Sequence, residues 1–229
     1  MNLFIVSSAI HAKHGIYSTK DRIRQTLKTL HSIHEYASGS HIFVLDGGYK
    51  CPTKDELGEI TDICDVFNCF ANAQQVSKTQ EINNQDIVKN MIELIMYGAF
   101  LNAMHEKVSH YDRVFKMSGR YQLTNMFDAK QHIGDRPVVA KRRPSQFKPE
   151  ITGGVKWQYM SRLWSWSGKH TNSIAKRYTE MLKHMDERLQ AGGYIDIEHL
   201  LYEHLPNPKQ IPIIGVEGNI APNGVRVSD

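Results

Sequence analysis

The chain has 229 residues, 41% hydrophobic and 23% charged, with a formal net charge of +4 and a pI near 8.8. That balance describes a globular protein with a real core, and no apolar run approaches the roughly 18 residues a bilayer span needs. The charge excess is small, and it fits an anionic small substrate or an acidic membrane surface as well as neither.

In chain order, the segment from Met1 to Ser7 has no basic region and too short an apolar run for a signal peptide. Leu3 to Val6 instead reads as a strand buried on both faces. Ser18 and Asp21 have the spacing of a capping box, and Ile23, Leu27, Leu30 and Ile33 give the following helix its apolar stripe. Ile42 to Leu45 is a second strand closed by Asp46, Gly47 and Gly48. A short helix over Lys54 to Ile60 leads to a third strand around Ile63 to Phe67. Asn72 to Asn84 is polar and reads as a loop. Gln85 to Lys107 carries apolar residues almost all round and predicts a buried helix. It delivers the chain to Val114, Phe115 and Met117, a strand interrupted by Lys116 and halted at Ser118, Gly119 and Arg120.

Beyond Asp128 the pattern loosens. Pro137 to Ala140 is a strand candidate, followed by the basic run Lys141, Arg142 and Arg143 and a flexible stretch to Gly153 and Gly154. Ile174, Tyr178, Met181, Met185 and Leu189 mark an amphipathic helix ended by Gly192 and Gly193. An acidic helix over Asp196 to His204 stops before Pro206, and Ile211 to Gly215 reads as an edge strand because Pro212 lacks a ladder donor. Strand and helix alternate in the first half, which predicts one α/β domain with a mostly parallel central sheet flanked by helices. Cys51, Cys64 and Cys69 are an odd set without CxxC spacing, so neither a disulfide framework nor a zinc site is expected, and the setting reads as reducing and cytoplasmic.

In an open α/β sheet, ligands bind outside the carboxyl ends of the strands. There the chain places Ser7 and Ser8, Asp46 and Gly47, and Ser118, Gly119 and Arg120. Small residues allow close approach, a carboxylate can accept from a base or ribose, and an arginine can clamp a diphosphate. Each element alone is equally a turn signal.

Three motifs carry a family resemblance. They are the helix Ser18-x-x-x-Arg22-x-x-Gln25-Thr26-x-x-Thr29-x-x-Ser32-Ile33, the strand Phe43 to Gly47, and Lys116-x-Ser118-Gly119-Arg120-Tyr121. On these the chain resembles the small GT-A-type glycosyltransferases of bacterial surface-polysaccharide clusters and of viruses; the segment Gly218 to Gly224 is similar too. The resemblance implies a GT-A-like fold. Residues 1–130 would bind a nucleotide-diphosphate sugar through Ser7, Ser8, Arg22, Asp46, Gly47, Lys116, Ser118, Gly119 and Arg120, and residues 131–229 a glycan or lipid-linked acceptor.

One departure stands out. Ser118, Gly119 and Arg120 occupy the place where such enzymes carry the aspartates that hold a divalent metal. Arg120 and Lys116, four apart, would share a face if the strand continued, and could supply the positive charge directly. Transfer without manganese or magnesium is therefore the expectation, and no other cofactor is expected. A structural alternative pairs Arg120 with Asp128.

An inverting transfer needs a general base. The candidates are Glu198, facing the cleft from the first turn of its helix, and Asp196, which also suits the N-cap; His199 and Glu203 read as a surface pair. Trp157, Tyr159, Trp164 and Trp166 read either as an acceptor platform or as core. His11 and His14 lie in the loop after the first strand, within reach of a donor phosphate. Two alternatives stand beside transfer: a catalytically inactive nucleotide- or sugar-binding module of the same fold, and a nucleic-acid binder. Dispersed basic residues and the lack of a recognition motif count against the latter.

Overall fold

A computed structural model describes residues 1–219 and 224–229. The chain runs β1 (Asn2–Ser8), α1 (Thr19–Tyr36), β2 (His41–Asp46), α2 (Lys54–Leu57), α3 (Glu59–Ile63), β3 (Val66–Cys69), α4 (Gln74–Thr79), α5 (Gln85–Ser109), β4 (Arg113–Ser118) and β5 (Tyr121–Leu123). It continues through β6 (Val138–Ala140), β7 (Arg143–Pro144), α6 (Pro149–Thr152), β8 (Trp157–Gln158), β9 (Leu163–Ser167), α7 (Thr171–Gln190), α8 (Ile197–His204), β10 (Lys209–Ile211), β11 (Val216–Asn219) and β12 (Arg226–Ser228).

Seven strands form one sheet in the order β10-β6-β9-β4-β1-β2-β3. β9 alone runs against its neighbours, pairing antiparallel with β4 and β6 while the remaining pairs are parallel. This is the mostly parallel, helix-flanked α/β layout expected, and it is consistent with a GT-A-like fold. Strands from both halves of the chain share the sheet.

Period-two burial explains the apolar strands. Leu3 and Ile5 join Phe43, Leu45, Trp164 and Trp166 beneath α5 and α7. Phe4 and Val6 join Ile42, Val44, Phe115 and Met117 beneath α1. The capping box of α1 forms as the spacing requires, with Ser18 accepting from the Asp21 amide. A three-stranded antiparallel sheet, β12-β11-β5, lies beside α1, whose Thr29 donates to the Tyr121 carbonyl at 2.7 Å and whose Ser32 accepts from the Leu123 amide at 2.9 Å.

Several boundaries differ from expectation. The helix over Lys54 to Ile60 is two helices broken at Gly58, whose φ is +36°. Ile63 ends a helix rather than opening the third strand. The polar segment Asn72 to Asn84 contains α4, anchored by the fully buried Val76. The last strand of the main sheet ends at Ile211, before Pro212. Of Gly218 to Gly224, residues 220–223 lie outside the described residues.

Contrary to expectation, Cys51 and Cys69 form a disulfide. Parallel pairing sets Cys69 beside Asp46, and the loop after β2 returns so that the two Cα atoms stand 5.9 Å apart, within bridging range. Linear spacing did not disclose this, and the cytoplasmic expectation loses its cysteine argument. Cys64 is free and buried, its thiol pushed up to about 11 by burial. No helix among the described residues is long and apolar enough to cross a membrane.

Candidate active site

β1 is flanked by β2 on one side and β4 on the other. The connections leave in opposite directions, through α1 to β2 and, from β3, through α5 to β4. The carboxyl ends of β1 and β4 therefore border a topological switch point, where α/β sheets open a crevice. A cleft lies there, and Ser7, Ser8, Arg22, Gly47, Ser118, Gly119 and Arg120 all line it. Two glycines make it. A Cβ on Gly119 would come within 2.9 Å of the Ser7 carbonyl, which the Gly119 amide approaches to 2.7 Å. A Cβ on Gly47 would meet Ile92 at 2.5 Å and Met96 at 2.7 Å on α5.

The cleft is cationic. Among the described residues, Lys13, Arg22, Lys89 and Arg120 line it against one carboxylate, Glu93. Arg22 is buried and donates to the His14 carbonyl at 3.1 Å. Burial, and next the charge of Arg120, push its guanidinium below the ordinary range, while Asp46 opposes them. Among the described residues, the buried Nε atoms of Arg22 and Arg120, Nε2 of His14 and Oε1 of Gln25 have no hydrogen-bond partner. All four side chains border the same space. Buried polar atoms are nearly always paired, so this cluster has free capacity to hydrogen-bond water or a polar ligand.

Asp46 is in the crevice floor but not on its surface. It is fully buried and accepts from Ser8 Oγ at 2.6 Å, the Ile10 amide at 2.8 Å and the Gly48 amide at 3.1 Å. Its carboxylate braces the two strand-end loops. Lys116 is also outside the lining. β4 ends at Ser118, so the strand parity that would align Lys116 with Arg120 is lost in the turn. The fully buried Lys116 ammonium lies on the α5 side, 2.6 Å from Glu93 Oε1 in an ion pair that lacks hydrogen-bond geometry, and 2.6 Å from the Ser161 carbonyl, to which it donates. Ser7 Oγ donates weakly to the other Glu93 oxygen, at 3.4 Å.

Glu93 was missed by sequence reading. The signal was one acid between Ile92 and Leu94 in a helix otherwise read as buried, a setting where carboxylates rarely sit without a partner.

Glu198 does not line the cleft. Ser161 Oγ donates to its Oε1 at 2.5 Å, and its carboxyl is raised above the usual range by burial and then by Asp196, against Lys89 and Ser161. Asp196, the other candidate base, does not line the cleft either; it is the N-cap of α8, the role its position also suggested. The surface pair of His199 with Glu203 is replaced by a buried one. His199 is fully buried, 2.5 Å from Asp196 and 2.8 Å from Ser145 Oγ. Trp164 and Trp166 pack in the core, while Trp157 lies under the Arg142 guanidinium, 4.5 Å from ring centre. His11 is tied to Glu56 at 3.0 Å, leaving His14 as the loop histidine at the cleft. Asp128 accepts from the Lys130 amide as a helix cap, at 2.9 Å. Comparison with protein-family models and with curated proteins finds no match to this chain.

Proposed function

We propose that this chain is a GT-A-like glycosyltransferase that moves a sugar from a nucleotide-diphosphate donor to a glycan or lipid-linked acceptor. The observation that carries the reading is the pair Arg22 and Arg120, each with an unpartnered Nε, in a glycine-floored cleft at the switch point of the sheet. A diphosphate brings acceptor oxygens in the arrangement that guanidinium groups bind best. The identity of the acceptor rests on the resemblance alone.

In an inverting transfer, an acceptor oxygen attacks the anomeric carbon while the bond to the diphosphate breaks. In this reading Glu93, the carboxylate that reaches the cleft, takes the acceptor proton. Arg22 and Arg120 meet the charge that develops on the leaving diphosphate, with Lys13 and Lys89 adding to the field. The cleft carboxylate is already committed to Lys116, so the donor set does not fit a resident divalent metal, and transfer is proposed to be metal-independent.

The second reading, a binding module without catalysis, draws on that same ion pair, because a carboxylate held by an ammonium is a weakened base. Donor hydrolysis separates the two. Incubation with a panel of nucleotide sugars is expected to release nucleoside diphosphate slowly to water, and to continue in excess EDTA. Donor binding without release favours the module. Complete loss in EDTA, restored by manganese, overturns metal independence.

A further inference from the structure

We propose that Ser145, His199 and Asp196 form a second catalytic centre, one that cleaves carboxylic esters through an acyl-serine. The proposal is independent of glycosyl transfer and concerns another part of the molecule: none of the three residues lines the cleft.

The local sequence builds the arrangement. Asp196 caps α8 by accepting from the His199 amide at 3.1 Å. The same oxygen lies 2.5 Å from His199 Nδ1, because residues three apart share a helix face. A nitrogen facing a carboxylate at that distance carries the proton, which leaves Nε2 with its lone pair. That lone pair meets Ser145 Oγ at 2.8 Å. Carboxylate, imidazole and hydroxyl then stand in the relation that activates a serine: the acid fixes the tautomer, and the imidazole takes the hydroxyl proton.

Burial supports the chemistry. His199 is fully buried and the Asp196 side chain 10% exposed, so water screens little of the charge separation. Ser145 is half-buried, more open than the Asp196 and His199 behind it. The Phe147 amide donates to Ser145 Oγ at 2.9 Å, fixing the oxygen and stabilising negative charge that develops on it. The one hydroxyl proton has two acceptors, His199 Nε2 and the Phe147 carbonyl at 2.9 Å; only the former is a base. Exposed Lys148 lies three residues on, and exposed Lys156 accepts from the Ser145 amide through its carbonyl at 2.9 Å; two nearby cations favour an ester bearing negative charge.

The step balances. Ser145 Oγ bonds to the ester carbonyl carbon and its proton passes to His199. The carbon–oxygen bond to the alcohol breaks, and His199 returns the proton to the leaving oxygen. Water then attacks the acyl carbon, loses a proton through His199, and releases the acid and free Ser145.

A hydrogen bond that merely clamps the β7–β8 hairpin to α8 would show the same distances without reactivity, so reactivity is what must be measured. The full-length protein is treated with a fluorophosphonate probe, and the adduct is located by mass spectrometry. The expected result is an adduct on Ser145 that is absent in Ser145→Ala and forms at least tenfold more slowly in Asp196→Asn. Asparagine keeps the helix cap but offers the imidazole an amide in place of the carboxylate, so thermal melting should be little changed. Hydrolysis of an anionic nitrophenyl ester should fall in parallel. A folded wild-type protein with no adduct on Ser145, or equal labelling of Asp196→Asn, overturns the proposal.

Discussion

A buried ammonium without a counter-charge costs several kcal/mol, and Glu93 removes that cost for Lys116 at 2.6 Å. The pair then holds the carboxylate at the cleft wall. Glu93→Gln should lower transfer at least about a hundredfold, the scale of a lost general base. It should also cost about 3 kcal/mol of stability, because Lys116 loses its partner, while retained nucleotide binding reports that the cleft still folds. Glu198→Gln should keep most transfer, since the amide oxygen can still accept from Ser161. Loss of transfer in Glu198→Gln with full activity in Glu93→Gln would contradict this assignment. Elsewhere, burial and then the charges of Arg113 and Lys209 lower His132 to about 3. The unfolded chain takes up that proton near pH 6.5, so His132 contributes stability that is complete above 6.5 and is lost as pH falls towards 3. Denaturant unfolding at several pH values should show a flatter curve for His132→Gln across that window; parallel curves would contradict it. The strand-end residues Ser7, Ser8, Gly47 and Gly119 were legible as cleft-formers only as a set, because each alone is equally a turn signal while three strand ends in order point to one crevice. The direction of Lys116 was not, since one turn residue decides where parity stops.

At the scale of elements, helix α1 presents two stripes. Periodicity displays the apolar one, Leu30 and Ile33 with the partly buried Ile23 and Leu27. The second is polar and buried, consisting of Arg22, Thr26, Thr29 and Ser32. Arg22 turns to the cleft, while Thr29 and Ser32 satisfy the backbone of β5. An apolar pattern cannot reveal such a stripe, because its burial is licensed by partners nearly a hundred residues away. The caps were legible for the opposite reason. Ser18 with Asp21, and Asp196 with the amide of His199, act within one turn. Helix α4 was hidden because its six residues bury only Val76 and Thr79. Strand β9 was hidden in the aromatic run, where Trp164 and Trp166 face one core while Ser165 turns to Arg113 and His132 on the other side.

For the whole molecule, alternation of strand and helix made the first half of the sheet readable. The second half was not, because β9 inserts antiparallel between β4 and β6 through long-range pairing. The Cys51–Cys69 bridge depends on the same kind of distant neighbourhood. What the fold adds is concentration. A net charge of +4 is unremarkable over 229 residues, yet among the described residues four cations border one cleft beside a single carboxylate, itself ion-paired to Lys116. On the proposed function, this cleft binds a diphosphate through Arg22 and Arg120. Calorimetric titration of the wild type, Arg22→Gln and Arg120→Gln with a panel of nucleoside diphosphates, in EDTA, tests it most directly. The wild type is expected to bind, and each variant to bind at least about tenfold more weakly, the loss expected for a charge-assisted contact. No binding by the wild type, or equal affinity in all three proteins, would contradict it.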